Sequence, residues 1–229
     1  MNKPMSRHKA KKNTQTKKVS AAGDVRIIGG QFKRRIVSFI DAEGLRPTPD
    51  RLRETLFNWL LADIHDAYVL DSCAGSGVLG FEALSRGAAH CTFIEINRAQ
   101  STMLQKSAEQ LRLNTDNHQI ITGTAEQILI RERLTAHTFD IVFIDPPYAQ
   151  DLWQPILMAL ITQSLIDTNT LIYLEADKDL ESQLQQLADT LNNDLAAQRQ
   201  TILQHLNFEC LKQTKVGQVV AGLYRLSSS

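Results

Sequence analysis

A chain of 229 residues with 43% apolar side chains can build one substantial α/β core with an appendage, and it need not hold two full domains. No run approaches the roughly 18 uninterrupted apolar residues of a spanning helix. The basic start lacks the apolar stretch of a secretory leader, and the cysteines at 73, 91 and 210 form neither a CxxC nor a metal-ligand spacing, so no membrane or metal partner is expected and the cytoplasm is. Formal charge is zero, yet residues 1–35 carry eleven Lys or Arg against the single acid Asp24, while the remainder holds 14 basic and 24 acidic side chains. That asymmetry fits a polyanion-binding end, a solubilising tail being the plainer reading.

Residues 1–22 are rich in Lys, Asn, Gln, Thr and Ser and nearly empty of large apolar groups, which predicts a flexible basic tail. Val25–Gly30 and Arg35–Phe39 read as two short strands around a turn bearing Lys33, Arg34 and Arg35, charges that suit a phosphate backbone or plain solvent. Leu45–Leu60 opens a helix with Thr48 as its cap, Pro49 in the first turn and Asp50 at the positive end. Leu52, Leu56, Trp59 and Leu60 form the buried stripe of that helix. Arg46, Arg51 and Arg53 gather near its start, where a phosphate or a carboxylate could sit.

From residue 66 to 175 the βα alternation is regular, with strands near 67–71, 90–95, 118–122, 139–144 and 170–175 and helices near 77–87, 98–112, 124–133 and 151–163. Strands apolar on both faces demand a parallel sheet covered by helices. A long polar helix follows, in which Leu180, Leu184, Leu187, Leu191 and Leu195 keep one apolar stripe; packing on the sheet is more economical than a coiled-coil dimer. Phe208–Gln213 and Val219–Arg225, around Lys215–Gln218, read as a closing antiparallel hairpin.

Three of these strands end in chemistry. Tyr68–Asp71 passes through Ser72 and Cys73 into Ala74, Gly75, Ser76 and Gly77 and then into a helix; His90–Glu95 ends in an acid; Phe139–Ile144 ends in Asp145-Pro146-Pro147-Tyr148. Gly75-x-Gly77-x-x-Gly80, with Glu95 downstream, fits a dinucleotide fingerprint, so a nicotinamide oxidoreductase has to be weighed. Asp71 would repel a pyrophosphate but attract the cationic group of an amino acid, and a dehydrogenase has no particular need of two prolines after Asp145. Both features favour S-adenosylmethionine. Ala74, Gly75, Ser76 and Gly77 would then meet its methionine part beside Asp71, Glu95 and Ile96 its ribose side, Thr124 and Ala125 its adenine edge, with Asp145 bordering the donor.

The Asp145–Tyr148 stretch suits methylation of an exocyclic base amine, whose lone pair is delocalised into the ring. Acceptors at its N–H groups, the Asp145 carboxylate and the Pro146 carbonyl, can orient it as the methyl arrives. The prolines hold the backbone, and Tyr148 can stack on a base taken out of its helix. An acidic residue there also suits the N1–H of guanine, whereas adenine N1 is an acceptor. Cys73 and Cys91 are small buried groups on this reading, and His90, His118 and His137 receive no chemistry.

Asp145-Pro-Pro-Tyr148, together with Leu45-Arg-Pro-Thr48, Asp50-Arg51, Arg53-Glu54, Leu56-Phe-Asn58, Arg26-Ile-Ile-Gly-Gly-Gln31, Ala74-Gly-Ser-Gly77 and Leu84-Ser-Arg-Gly-Ala88, resembles the bacterial 16S ribosomal RNA guanine-N2 methyltransferases that modify guanine 966. The resemblance runs from about Val25 to Arg225. It implies a class I, Rossmann-like methyltransferase fold, mostly parallel with a C-terminal antiparallel hairpin, and S-adenosylmethionine as donor without a metal. It also implies 16S rRNA, in the small ribosomal subunit or its assembly intermediate, as partner of a cytoplasmic monomer. By the same resemblance residues 23–64 are an RNA-binding hairpin and helix extension and residues 65–229 the catalytic domain. Asp71, Gly75, Gly77 and Glu95 fall at the donor, Asp145 and Tyr148 at the base, and Lys33, Arg34, Arg35, Arg46 and Arg51 nearer the RNA. Ser72-Cys73 stands where the family often has Leu-Phe, Tyr148 where Phe is common, and both the basic tail and the polar segment 177–205 are longer than in the family. Two competing readings are an adenine-N6 or other nucleic-acid amine methyltransferase, and a non-enzymatic RNA-binding protein. The latter leaves Asp71, Glu95 and Asp145 without a common purpose.

Overall fold

The computed structural model describes residues 23–40, 47–131, 134, 138–147, 152–177, 179–197 and 205–228, with side chains in the long polar helix described as far as 193. The basic tail, Arg46, His137, Tyr148 and the side chain of Leu195 lie outside the described residues. In chain order the elements are β1 (Gly23–Arg26), β2 (Ile36–Phe39), α1 (Asp50–Trp59), β3 (Tyr68–Asp71), α2 (Val78–Ser85), β4 (His90–Glu95), α3 (Arg98–Leu111), β5 (His118–Thr122), α4 (Ala125–Arg131), β6 (Ile141–Ile144), α5 (Trp153–Thr162), β7 (Leu171–Ala176), α6 (Leu180–Ala197), β8 (Leu206–Val216) and β9 (Val219–Ser228).

The main sheet runs β5-β4-β3-β6-β7-β9-β8. Its first five strands are parallel, and β9 and β8 close it as antiparallel neighbours. Beyond β3 the chain builds outward through β4 and β5, then returns to lay β6 on the other side of β3. The order thus reverses between β3 and β6, and in open parallel sheets the carboxyl edge at such a switch point is where ligands bind.

Period-two alternation gives β3, β4, β6 and β7 two buried faces, while the edge strand β5 is only half-buried. Val69, Ile141, Phe143 and Tyr173 share one core with Leu52, Leu56, Phe57 and Leu60 of the α1 region, with Leu79 and Phe81 of α2 and with Leu104 and Ala108 of α3. Leu70, Val142, Ile144, Ile172 and Leu174 face the opposite core, with Leu129, Trp153, Ile156 and the α6 residues Leu180, Leu184, Leu187 and Leu191. The stripe of α6 is thus buried in this core from Leu180 to Leu191. Trp59 is half-buried against the first core.

Two local expectations are corrected. The first strand ends at Arg26 and does not run on to Gly30, because the chain beyond it docks on α2. Ile28 N–H donates to Glu82 Oε2 (2.8 Å), Gln31 N–H to the Ser85 carbonyl (2.7 Å) and Phe32 N–H to Ser85 Oγ (2.9 Å). Gly30 adopts φ 70°, and a Cβ there would stand 1.8 Å from the Ser85 carbonyl oxygen, so the docking needs glycine. Secondly, Thr48 does not cap α1: the N-cap position is Pro49, with no side-chain hydrogen bond, and the Thr48 hydroxyl points elsewhere.

Candidate active site

The loop after β3 is shaped by two left-handed glycines, Gly75 (φ 51°) and Gly77 (φ 73°), the latter standing at the N-cap of α2. A Cβ on Gly77 would lie 2.5 Å from a Leu104 methyl group and 2.8 Å from Phe81. Two side chains tie the loop down. Gly75 N–H donates to Glu95 Oε2 (2.8 Å), and Gln100 Nε2 donates to the Gly75 carbonyl (2.7 Å). Gln100 is fully buried, and its Oε1 accepts Ile40 N–H (2.9 Å), so one amide joins the loop to the end of β2.

Asp71 is buried at the end of β3, where its Oδ2 accepts Gly80 N–H in the first turn of α2 (3.1 Å). Burial pushes its carboxyl up, the Gly80 amide pulls against that, and the Glu95 charge adds to the rise, leaving it at about 7. Glu95 Oε1 accepts Asn97 N–H (2.7 Å); burial raises its carboxyl, and the Asn97 and Gly75 amides oppose the rise. Each Glu95 oxygen retains a second lone pair for a ligand hydroxyl. Ile96, next to it, is 67% exposed. Thr124 precedes α4, and its Oγ1 is buried without a hydrogen-bond partner. Ala74, Ser76 and Ala125 are buried around the same edge.

Asp145 follows β6 and receives a hydrogen bond from Thr48 Oγ1 on its Oδ2 (3.2 Å). Although Asp145 keeps some exposed surface, burial pushes its carboxyl well above the usual range. The Glu175 carboxylate raises it further, the Thr48 hydroxyl opposes, and Asp71 adds a smaller push. Pro146 is buried and Pro147 exposed. Among the described residues no Lys, Arg or His pairs with Asp71, Glu95 or Asp145. Carboxyls gathered without a cation, beside an orphaned hydroxyl at Thr124, suit a ligand that brings a positive charge and hydrogen-bonding groups of its own. S-adenosylmethionine, with an ammonium, a sulfonium, ribose hydroxyls and an adenine, has that chemistry.

The sheet edge therefore brings Asp71, Ala74–Gly77, Glu95, Ile96, Thr124, Ala125, Asp145 and Pro146 to its carboxyl ends. Burial raises the thiols of both Cys73 and Cys91, which makes them poor nucleophiles. Lys33, Arg34 and Arg35 are exposed on the turn between β1 and β2, with Arg35 donating to the Gln110 carbonyl at the end of α3, and Arg51 is exposed on α1. Arg53 is not available to a ligand. It is fully buried, donating to the carbonyls of Thr48 (3.0 Å) and Arg26 (2.9 Å) and to Asp50 Oδ1 (2.5 Å), with Glu82 Oε2 at 3.5 Å. Thr48, Gln100 and Glu175 were missed as site residues from sequence. Glu175 carried the same signal as Glu95, an acid closing an apolar strand. The partners of Thr48 and Gln100 lie far away in the chain.

Residues 25–204 match the profile of a family described as conserved hypothetical protein 95. "Ribosomal RNA small subunit methyltransferase D" of Haemophilus influenzae is 41% identical over 160 residues, 70% of this chain and 82% of that protein. The Escherichia coli protein of the same name is 44% identical over 158 residues, 69% of this chain and 77% of its own. Among solved structures, an Escherichia coli candidate methyltransferase superposes with TM-score 0.68 at 34% identity, covering 89% of this chain and 98% of that one. A Haemophilus influenzae candidate methylase gives 0.66 at 31%, with the same coverages. The fold is that of the class I S-adenosylmethionine-dependent methyltransferases, with the small N-terminal hairpin added.

Proposed function

We propose, because the chain belongs to the conserved hypothetical protein 95 family, that it methylates the exocyclic N2 amine of a guanine in small-subunit ribosomal RNA, guanine 966 of 16S rRNA. The observation that carries the chemistry is Asp145, held by Thr48 at the carboxyl end of β6 on the same edge as Asp71 and Glu95. The substrate class comes from the relatives named as ribosomal RNA small subunit methyltransferases, which this chain matches at 41–44% identity. S-adenosylmethionine, when bound, supplies an electrophilic methyl group on sulfur.

On this reading Asp71 faces the donor's ammonium and the loop at Ala74, Gly75, Ser76 and Gly77 follows its methionine part. Glu95 accepts from the ribose hydroxyls with Ile96 beside it, and Thr124 and Ala125 border the adenine edge. Asp145 and the Pro146 carbonyl accept from the target amine, turning its lone pair toward the methyl, with Tyr148 stacked on the base. The amine becomes cationic as the methyl arrives, so a neighbouring carboxylate stabilises the developing charge and can accept the N–H proton that must leave to give the neutral methylamine. Residues 23–64 hold the RNA through Lys33, Arg34, Arg35, Arg46 and Arg51, the basic tail at 1–22 adds its own cations, residues 65–229 carry the chemistry, and the protein acts as a cytoplasmic monomer without a metal.

The test is methyl transfer from isotope-labelled donor to small ribosomal subunits lacking their modifications, beside naked rRNA and duplex DNA, with the labelled nucleoside identified after digestion. Label in N2-methylguanosine at one rRNA position is expected. Label in N6-methyladenine would keep the catalytic assignments and overturn the base; no label together with no donor binding would return the chain to an RNA-binding role.

A further inference from the structure

We infer that Glu175 is a positioning residue that shares a proton with Asp145 across β6 and β7, and thereby sets when Asp145 is an ionised acceptor for the target amine. The functional consequence rests on the reading of Asp145 given above; the shared proton does not.

The register places the two carboxyls together. Phe143 pairs with Tyr173 and Ile144 with Leu174, so Asp145, the first residue beyond β6, comes next to Glu175 of β7 if that register is carried one step on. Phe143 and Tyr173 lie on the face covered by α1, with Phe57 edge-on to Phe143 and Phe143 edge-on to Tyr173. Each carboxyl is then held by a hydroxyl on that face. Thr48, just before α1, donates to Asp145 Oδ2 (3.2 Å), and Tyr173 Oη donates to Glu175 Oε1 (2.7 Å). Thr48 and Glu175 are both almost wholly buried, at 5% and 3% exposure. The described groups that face Asp145 are Thr48 from the segment before α1, Asp71 from β3, Cys73 from the following loop and Glu175 from β7.

Two carboxyls at one buried position do not both ionise readily, and the first proton to leave belongs to the pair. The negative charge of Glu175 raises the Asp145 carboxyl, in agreement with this arrangement. A proton resting on Glu175 frees Asp145 to be the anion beside the amine; a proton resting on Asp145 removes its acceptor oxygen. The Thr48 and Tyr173 hydroxyls bias that choice, because each stabilises the charged form of its own partner.

The pair is tested on the full chain with 13C-labelled aspartate, following the Asp145 carboxyl carbon by NMR through a pH titration, its signal assigned by its loss in D145N. In E175Q the titration is expected to move toward acid, because the neighbouring charge is gone and the side-chain size is kept. Y173F provides a second variant: without the Tyr173 hydroxyl, Glu175 takes the proton more readily, and Asp145 again titrates at lower pH than in the parent. The acid limb of the single-turnover methylation rate is expected to move the same way in both variants, with donor affinity unchanged. An Asp145 titration that stays in place in the folded variants overturns the inference, and a rate lowered equally at every pH would then mark Glu175 as structural. Displacement of the titration, with the parent's label found on a base other than guanine, supports the shared proton and overturns the choice of base instead.

Discussion

With its carboxyl pushed up to about 7 by burial and by the Glu95 charge, Asp71 is roughly half ionised in the donor-free protein at neutral pH. An ammonium brought beside it favours the ionised form, so donor binding should release a proton near pH 7, and affinity should climb as pH rises toward and through that value. Calorimetry in buffers of different ionisation enthalpy reads the proton directly; D71N should abolish both the release and the climb. For the donor-free protein the sign runs the other way. The raised carboxyl contributes most to stability below the ordinary carboxylate range, and that contribution is lost as pH rises through about 7. Thermal unfolding of the parent should therefore decline over that window more steeply than that of D71N. For Asp145 the expectation separates binding from chemistry: D145A should hold the donor as the parent does and lose about a hundred- to thousand-fold in turnover, the scale of removing one preorganised polar group. Unimpaired guanine methylation by D145A would remove it from the mechanism. Asp71, Glu95 and Asp145 were legible in the sequence because an acid closing an apolar strand is conspicuous. Thr48 was not, because its partner lies 97 positions away and a threonine before a proline reads first as a helix cap.

At the scale of elements, the hairpin β1–β2 is seated on α2 and α3 by polar contacts that periodicity does not reveal. Glu82, fully buried in α2, accepts Ile28 N–H and the Arg86 guanidinium (Nε and Nη2 each at 2.9 Å), with Arg53 of α1 at 3.5 Å. Arg53 in turn holds the Arg26 and Thr48 carbonyls, so one guanidinium joins β1, the Asp145-contacting segment and α1 to α2. R53A leaves the Arg26 and Thr48 carbonyls without their donor, while Glu82 keeps Arg86, and two polar groups left unpaired should cost about 2–6 kcal/mol in urea unfolding. Arg53→Met combined with Glu82→Leu should cost less than the two single changes added together; simple additivity would show that the pair is uncoupled. The arrangement also explains the error in the first strand. Val25–Gly30 has the composition of a continuous strand, but Ile28, Gln31 and Phe32 give their N–H groups to Glu82 and Ser85, residues more than fifty positions on. The alternation from β3 to β7 was legible because each helix and strand there buries an apolar face set by its own local period.

Over the whole molecule, charge and topology divide the work. The carboxyl ends of β3, β4, β6 and β7 gather Asp71, Glu95, Asp145 and Glu175, acids that attract no phosphate backbone. An RNA brought to Asp145 must therefore be held by cations elsewhere, and the sequence concentrates them at one end: seven of the eleven Lys or Arg in residues 1–35 lie within the first 22. The rest of that end is fixed to the main sheet, since Gln100 bonds both Ile40 at the end of β2 and the loop at Gly75 proposed to meet the donor, and Lys33, Arg34 and Arg35 stand exposed on the same hairpin. Deleting residues 1–22 should then weaken RNA binding and flatten its salt dependence, by about 0.7–0.9 in the slope of log K against log salt for each phosphate that the tail neutralises. Donor affinity should hardly change, because every hydrogen bond described at the Gly75 loop survives the deletion. Binding isotherms at several salt concentrations, with donor titrations run on the same two proteins, separate these effects. An unchanged slope would assign the anchoring to the hairpin cations alone, while a fall in donor affinity equal to the fall in RNA affinity would mean that the tail supports the fold and not the RNA.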